Sequence, residues 1–155
     1  MKKLPAEVVH FFHKQGFIIV STVDSANTPH NSCKGIVEID PKGRIYLLDL
    51  YRGMTLTNLR DNPNIGITAV DEHKFIGYCL KGKAKIADKK ELNHRLVEAW
   101  EKRIANRITH RLLKNIHDEN DKGHRRHPES LLPSPEYMIA VEIEEIVSLI
   151  PSHIW

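Results

Sequence analysis

The chain has 155 residues, of which 41% are hydrophobic and 28% charged, a composition typical of one soluble globular domain. No apolar run approaches the roughly 18 residues of a membrane-spanning helix, and charged residues interrupt the first 16 positions, which argues against a signal peptide. The net charge of +3 is small and scattered, which argues against a nucleic-acid-binding face. We therefore expect a single domain over residues 1–155 with neither a membrane nor a nucleic acid as partner.

The first half of the chain predicts a short helix followed by strands. Residues 5–15 are amphipathic, with Pro5 suited to the first turn and Gly16 to the end of a helix. A second, shorter helix is predicted over residues 54–62, ended by Pro63. β-branched runs bounded by turn residues predict six strands, at 17–23, 29–39, 44–50, 64–70, 75–87 and 136–150.

The second half predicts a long helix and a polar loop as additions to the sheet. Asp88 and Glu91 have the spacing of a capping box, so the helix is expected from Lys89 to residue 117. Its apolar residues recur every four positions and wind around the axis, which predicts a bend or break near residues 105–107. Residues 118–136 are polar and proline-rich and read as a long loop.

Strands joined mostly by short turns, with helices inserted, predict an α+β fold that is mainly β and built as an antiparallel barrel. Regular strand–helix alternation is absent, and neither a G-x-G-x-x-G fingerprint nor a P-loop occurs. A classical dinucleotide fold or a P-loop NTPase is therefore not expected. Cys33 and Cys79 are far apart and lack metal-type spacing, which favours reduced thiols in a cytoplasmic protein.

The segment YRGMTLTNLRDNPNI, residues 51–65, has the chemistry of a phosphate site. A strand end leading into a helix presents unpaired N–H groups that favour an anion. Arg52 offers a bidentate donor, Gly53 a close backbone approach, and Thr55 and Thr57 offer hydroxyls. The alternative is that Thr55 only caps the helix and Arg52 is a solvated surface charge.

The order of the motifs resembles a known family. "FIIVSTVDSANTPHNSCKGIVEID", "GRIYLLDLYRGMTLTNLRDNPNIGITAVD" and "GYCLKGKAKI" occur in the order and spacing of the pyridoxamine 5′-phosphate oxidase-like FMN-binding split barrels. The resemblance covers residues 15–90, and the last strand also fits. It implies a six-stranded antiparallel split β-barrel with flanking helices, acting as a homodimer with FMN at the interface.

The resemblance also implies which residues contact the flavin. The strand carrying Asn31, Ser32, Cys33 and Lys34 would lie along the isoalloxazine ring, Asp49, Leu50, Tyr51, Arg52 and Thr55 would lead to the phosphate, and Asn58 would hold the connecting helix. Many relatives carry Arg or Lys just beyond the glycine, where this chain has Met54 and Thr55. A cation for the phosphate must then come from Arg52, Lys34 or the late helix.

The implied activity is that of an FMN-dependent oxidoreductase acting on an unidentified small molecule, with NAD(P)H as a candidate electron donor. No catalytic residue follows from the sequence. Two alternatives stay open: a non-catalytic flavin-binding electron carrier, and a split barrel that has lost flavin and binds haem.

Two further clusters can be interpreted either as functional sites or as ordinary solvated surface. Four histidines, at 110, 117, 124 and 127, suggest a metal site, but their spacing fits no helical ligand motif, so a solvated surface is favoured and no metal is expected. Arg103, Arg107, Arg111 and Lys114 form a basic ridge that is ordinarily solvated. The ridge would instead reach a phosphate or an acidic substrate if the helix covered the flavin pocket.

Overall fold

The computed structural model describes residues 1–88, 90, 93–117 and 132–154, with residues 111–117 and 154 described by their backbone alone. Within these ranges the strands are β1 (Ile18–Val23), β2 (Pro29–Lys34), β3 (Ile36–Asp40), β4 (Arg44–Asp49), β5 (Asn64–Asp71), β6 (Ile76–Asp88) and β7 (Tyr137–Ser148). The helices are α1 (Ala6–Lys14), α2 (Met54–Asp61) and α3 (His94–His117), with a short 3₁₀ turn at Ser152–Ile154. None of the described helices is long and apolar enough to cross a membrane.

The strands form one antiparallel sheet in the order β2-β1-β5-β6-β7-β4-β3. The two edge strands, β2 and β3, are consecutive in the chain and separated only by Gly35. Because a single residue joins opposite edges, the sheet must curl until those edges meet. The result is a curled half-barrel with helices, so the predicted mainly-β α+β fold is confirmed.

The number of strands differs from the prediction because the chain changes strand partners at Gly35. Residues 29–39 were expected to form one strand, but β2 pairs with β1 whereas β3 pairs with β4. The described part of the chain therefore has seven strands, and the prediction of six is wrong. Alternating burial does not reveal such a change of partner, because both halves keep an extended backbone.

The β3–β4 hairpin has the turn that its sequence predicts. Asp40 pairs with Arg44 across the turn, and the N–H of Gly43 donates to the carbonyl of Asp40 at 2.9 Å. Gly43 has φ of 107°, a conformation that favours glycine. A side chain there would also overlap the backbone of Lys2. Glycine is therefore required both for its backbone conformation and for its lack of a side chain.

The core fills the concave side of the sheet. In β7 Ile139, Val141 and Ile143 are fully buried, whereas Ala140 and Glu142 are partly exposed, which confirms the predicted alternation. From α1, Val8 and Phe12 join the same apolar cluster. α1 therefore closes one side of the half-barrel.

α3 lies across β3 and β4 on the other side of the sheet. Leu96 packs with Val37 and Leu48, and Arg95 forms an ion pair with Glu38 at 2.9 Å. These contacts fix the position of the first turns of α3.

The start of α3 differs from the prediction. The helix begins at His94, and Asn93 precedes it with its side chain accepting the N–H of Arg95 at 2.9 Å. Asn is a preferred N-cap residue. The expected start at Lys89 is therefore wrong, and Glu91 of the proposed capping box lies outside the described residues, as does most of the predicted loop 118–136.

A bend or break was predicted near residues 105–107. α3 continues through these residues as one helix, so a break is absent. The winding apolar stripe has a different explanation. Leu96 packs against the sheet, Trp100 packs against the same cluster and also lines a cavity, and Ile104, one turn further, lines that cavity. An apolar stripe that contacts first the sheet and then the cavity needs no break in the helix.

Candidate functional site

A cavity of about 530 Å³ lies between α3 and the region where the sheet edges meet. Its walls come from three parts of the fold: the end of β2 with Gly35, the end of β4 leading into α2, and one face of α3. The lining residues are Phe17, His30, Ser32, Cys33, Lys34, Gly35, Ile36, Leu48, Asp49, Leu50, Tyr51, Gly53, Met54, Thr55, Trp100, Arg103, Ile104, Arg107 and Leu132. The volume is that of an ordinary small-molecule site.

One end of the cavity carries two hydroxyls beside a helix N-terminus. The Oγ1 of Thr55 and the Oγ of Ser32 are 3.0 Å apart, and Thr55 is buried. The N-cap of α2 is Gly53, so no side chain caps the helix. The carbonyl of Gly53 accepts the N–H groups of Leu56 and Thr57, which are the first backbone hydrogen bonds of the helix. The N–H groups before them have no partner within the helix. The alternative that Thr55 merely caps α2 is wrong, since Gly53 occupies that position.

A buried network of Lys34, Asp49 and Tyr137 forms part of the wall. One carboxylate oxygen of Asp49 accepts hydrogen bonds from the ammonium of Lys34 and the hydroxyl of Tyr137, and the other accepts the N–H of Leu50 at 2.9 Å. Burial, and then the hydrogen bond to Asp49 and its charge, raise the pKa of Tyr137 above its ordinary value of 10. The tyrosine therefore remains a neutral donor, and the charge of Lys34 is compensated at the wall.

Two arginines of α3 bring positive charge to the opposite wall. A guanidinium nitrogen of Arg103 donates to the carbonyl of His13 at 3.3 Å, and the guanidinium of Arg107 lies 5.3 Å from the ring centre of Phe17. Burial lowers the pKa of Arg103, and the charge of Arg107 lowers it further. Among the described residues neither arginine forms an ion pair with a carboxylate.

The basic ridge predicted on the late helix is thus partly located. Arg103 and Arg107 line the cavity, while the side chains of Arg111 and Lys114 lie outside the described part of the chain. The helix lines one wall of the cavity. That this cavity is the flavin pocket, which was the condition for a functional role of the ridge, stays a prediction.

Seven of the ten residues expected to contact a cofactor line this cavity. They are Ser32, Cys33, Lys34, Asp49, Leu50, Tyr51 and Thr55. The structure therefore brings together the β2 group and the β4–α2 group, which are distant in the sequence. Their role towards a cofactor stays a prediction.

Asn31 and Asn58 are not among the lining residues. The side chain of Asn31 accepts a hydrogen bond from Ser21 at 2.7 Å, which joins β2 to β1. Asn58 is buried and donates to the hydroxyl of Thr22 at 3.0 Å. That hydrogen bond attaches α2 to β1 and so fixes the direction of its N-terminus.

Arg52 also lies away from the cavity lining. Its guanidinium is half exposed and forms ion pairs with Glu136 at 3.3 Å and with Asp88 at 3.5 Å. Two carboxylates therefore surround the residue that had been the first candidate for a phosphate cation. Within the described ranges, the positive charge at the cavity that has no carboxylate partner comes from Arg103 and Arg107 of α3.

The sequence did not predict that Trp100 and Ile104 line the site. Their signal was present in the apolar stripe of α3, which continues beyond Leu96 to the cavity. The stripe was assigned to a bend because the sequence alone does not show that a cavity lies beside the sheet.

No group of three or more potential metal ligands occurs within the described ranges. Of the four histidines considered for a metal site, His110 is exposed, the side chain of His117 is not described, and positions 124 and 127 lie outside those ranges. The structure therefore adds no support for a metal site there.

Sequence comparison identifies the family. Residues 4–146 match the sequence profile of pyridoxamine 5′-phosphate oxidase. The chain belongs to this family, and the resemblance inferred from its motifs is confirmed. A search of curated protein sequences gives no match.

Solved structures agree on the fold. HupZ from Group A Streptococcus has 21% sequence identity and a TM-score of 0.66, with 95% of this chain and 94% of that chain covered. A Lactobacillus delbrueckii protein assigned to pyridoxamine 5′-phosphate oxidase has 16% identity and a TM-score of 0.64, with 94% and 93% covered. A protein named F420 reductase has 11% identity and a TM-score of 0.54, with 84% and 88% covered. At these identities the likeness concerns the fold alone.

Proposed function

We propose that the protein binds FMN in this cavity and acts as a flavin-dependent oxidoreductase on a small molecule. The observation that carries the proposal is the pair of hydroxyls, Ser32 and Thr55, at the uncapped N-terminus of α2 and open to the cavity. Bound FMN supplies the electron transfer, and the protein supplies orientation and a selective pocket.

The α2 end of the cavity fits a phosphate. Unpaired N–H groups and the helix dipole favour an anion there, and both hydroxyls can donate to phosphate oxygens. A Cβ built on Gly53 meets no atom within 4 Å, so the backbone beside the hydroxyls is open to a ligand. The residues present therefore fit the phosphate of FMN without an adjacent Arg or Lys at positions 54 and 55.

The walls beyond that end fit a flat, largely apolar group. Leu48, Trp100 and Ile104 offer apolar surface, and Lys34 contributes a hydrogen-bond donor that Asp49 holds in place. A fixed cationic donor beside a ring polarises its acceptor atoms and excludes alternative orientations. This is the role that we assign to Lys34.

The mouth of the cavity favours a homodimer. Phe17, Tyr51 and Met54 line the cavity, yet their exposed fractions are 68%, 61% and 51%. Large apolar side chains clustered at a cavity mouth mark an interaction surface. We propose that a second copy of the chain covers them and completes the flavin site. We also propose a cytoplasmic location, since both cysteines are free thiols.

The first test is the visible spectrum of the purified protein, followed by titration with FMN. Wild type should quench FMN fluorescence, and Thr55→Val should weaken binding about fivefold, the effect of one lost hydrogen bond. Thr57→Val is the matched control, because Thr57, also considered as a phosphate donor, is an exposed residue of the same helix and is not among the residues that line the cavity. Reduction of bound flavin by NADH or NADPH would distinguish an oxidoreductase from a carrier.

Failure of FMN to bind would contradict the proposal directly. A protein that ignores FMN but binds haem would correspond to the flavin-less alternative. Equal weakening by Thr55→Val and Thr57→Val would show that the hydroxyl end of the cavity is not the phosphate site.

A further inference from the structure

We propose that Tyr137 is a positioning residue of the cavity, which acts through Asp49 to hold the ammonium of Lys34 towards the bound ligand. Tyr137 itself is not among the residues that line the cavity. An ammonium held beside the flavin ring favours the reduced state of FMN, which carries more negative charge than the oxidised state. The inference rests on the proposed function and deepens it, because it assigns control of the reduction potential to a residue behind the cavity wall.

The first argument is the place of this network in the core. Two cross-strand pairs of β4 and β7 fill one row of the core with fully buried apolar side chains, Ile45–Val141 and Leu47–Ile139. Asp49 and Tyr137 form the next pair of that row. A well-packed apolar pair would continue the core without desolvating a charge, and a buried ion pair often contributes no more stability than such a replacement. Stability alone therefore does not account for a carboxylate at this position, and we attribute it to the site.

The second argument is the number of donors that Lys34 presents to the cavity. An ammonium group carries three N–H bonds. Within the described ranges, Asp49 is the one acceptor that this ammonium contacts. The side chain of Lys34 is 9% exposed and lines the cavity. Its remaining N–H bonds are therefore directed to an acceptor inside the cavity rather than to bulk water.

The third argument is the way in which Asp49 is held. One carboxylate oxygen accepts the N–H of Leu50, and the other accepts both Lys34 and the hydroxyl of Tyr137. Without that hydroxyl, the oxygen that binds Lys34 would have no other donor to fix it, and the carboxylate would be freer to turn. Burial and Asp49 raise the pKa of Tyr137, so the hydroxyl keeps its proton and donates throughout the neutral pH range. Tyr137 is therefore a permanent support for the carboxylate that holds Lys34.

The first test compares Tyr137→Phe with wild type in its affinity for oxidised and for reduced FMN. The variant should weaken binding of reduced FMN about threefold more than binding of oxidised FMN, an effect of the size of one net hydrogen bond. By linkage, the reduction potential of the bound flavin should become more negative. A merely structural role would weaken both states equally and leave the potential unchanged. Tyr78→Phe is the matched control, since Tyr78 packs against Phe11 and does not line the cavity.

The second test needs no flavin. Trace acetylation of amines by acetic anhydride, mapped by mass spectrometry, reports how firmly each lysine is held. Lys34 should react at least about threefold faster in Tyr137→Phe than in wild type, whereas Lys85, an exposed lysine of β6, should react equally in both. Asp49→Asn should also accelerate the reaction of Lys34. Adding Tyr137→Phe to that variant should give no further increase, because the tyrosine acts through Asp49.

Circular dichroism shows whether each variant is folded. If FMN binds but either the potential or the acetylation of Lys34 is unchanged in Tyr137→Phe, or if Tyr78→Phe gives the same changes, the inference is overturned while the proposed function stands. If wild type does not bind FMN, the proposed function fails and acetylation alone decides: selective acceleration of Lys34 supports the positioning role, and an unchanged rate overturns it. If Tyr137→Phe does not fold, Asp49→Asn decides in its place, since an unchanged rate of Lys34 there would show that the network does not hold the ammonium.

Discussion

Replacing Asp49 by Asn should destabilise the fold more than any exposed substitution, because this carboxylate accepts from three donors. Lys34 and Tyr137 converge on one oxygen, and the N–H of Leu50 binds the other at 2.9 Å. An amide has one oxygen and one NH₂ group. In either orientation one side of the network places a donor against a donor, and Lys34 loses its counter-charge.

The expected size follows from the burial of the pair. The side chains of Lys34 and Asp49 are 9% and 10% exposed, so the charge left on Lys34 is poorly solvated. Removing one partner of a buried ion pair costs about 3–5 kcal/mol, and residual exposure favours the lower end. We expect a loss of about 3 kcal/mol in the free energy of unfolding, equivalent to a fall of roughly 6–12 °C in Tm for a chain of this length.

Urea unfolding monitored by circular dichroism measures this loss, provided that the slope of the transition is unchanged. Asp61→Asn is the matched control, since Asp61 is an exposed carboxylate at the end of α2. A double-mutant cycle with Lys34→Met should show coupling of at least about 1 kcal/mol. A loss below about 0.5 kcal/mol for Asp49→Asn, within the range of ordinary surface substitutions, would refute the argument that the pair is buried and interdependent.

Two other predictions concern the ionisation of Tyr137 and the packing at Gly82. Because the pKa of Tyr137 is raised in the folded state, unfolded chains lose this proton first, and the free energy of unfolding should fall above about pH 10. The urea midpoint should fall less steeply with pH in Tyr137→Phe than in wild type. Parallel curves of midpoint against pH for the two proteins would contradict the shift. Gly82 meets the backbone of Glu142 so closely that a Cβ would overlap it, whereas a Cβ on Gly16 meets nothing within 4 Å. Gly82→Ala should therefore cost about 1–3 kcal/mol or more and Gly16→Ala little, and equal thermal stability of the two variants would refute the contact.

Local patterns predicted most of the fold. The alternation in residues 136–150, the turn before Arg44 and the proline after α2 each depend on neighbours in the chain, and each is found in the structure. The prediction of the strand number failed because it depends on pairing between strands that are distant in the sequence. Nothing in the residues around Gly35 indicates that the strands on its two sides belong to opposite edges of the sheet, because both halves are extended and partly buried.

The sequence indicated many of the residues that line the cavity, but not which charges reach it. Thr55 was singled out for its hydroxyl and Ser32 through the resemblance, as a residue along the ring, and the structure places their hydroxyls 3.0 Å apart. Arg52 was singled out for its position in sequence, yet its guanidinium turns to carboxylates from β6 and from the residue before β7. Which of several cations reaches a cavity depends on side-chain competition across the fold, and sequence spacing does not contain that information.

The position of α3 links the fold to the positive charge of the cavity. Its first turns are fixed on the sheet by Leu96 and by the ion pair between Arg95 and Glu38. Arg103 and Arg107 follow two and three turns later on a continuous helix. The contacts of Leu96 and Arg95 with the sheet, which anchor the helix, therefore determine where the two arginines lie. The anchor lies outside the cavity lining. A substitution at Leu96 or Arg95 should therefore shift the two guanidinium groups without changing a residue that lines the cavity.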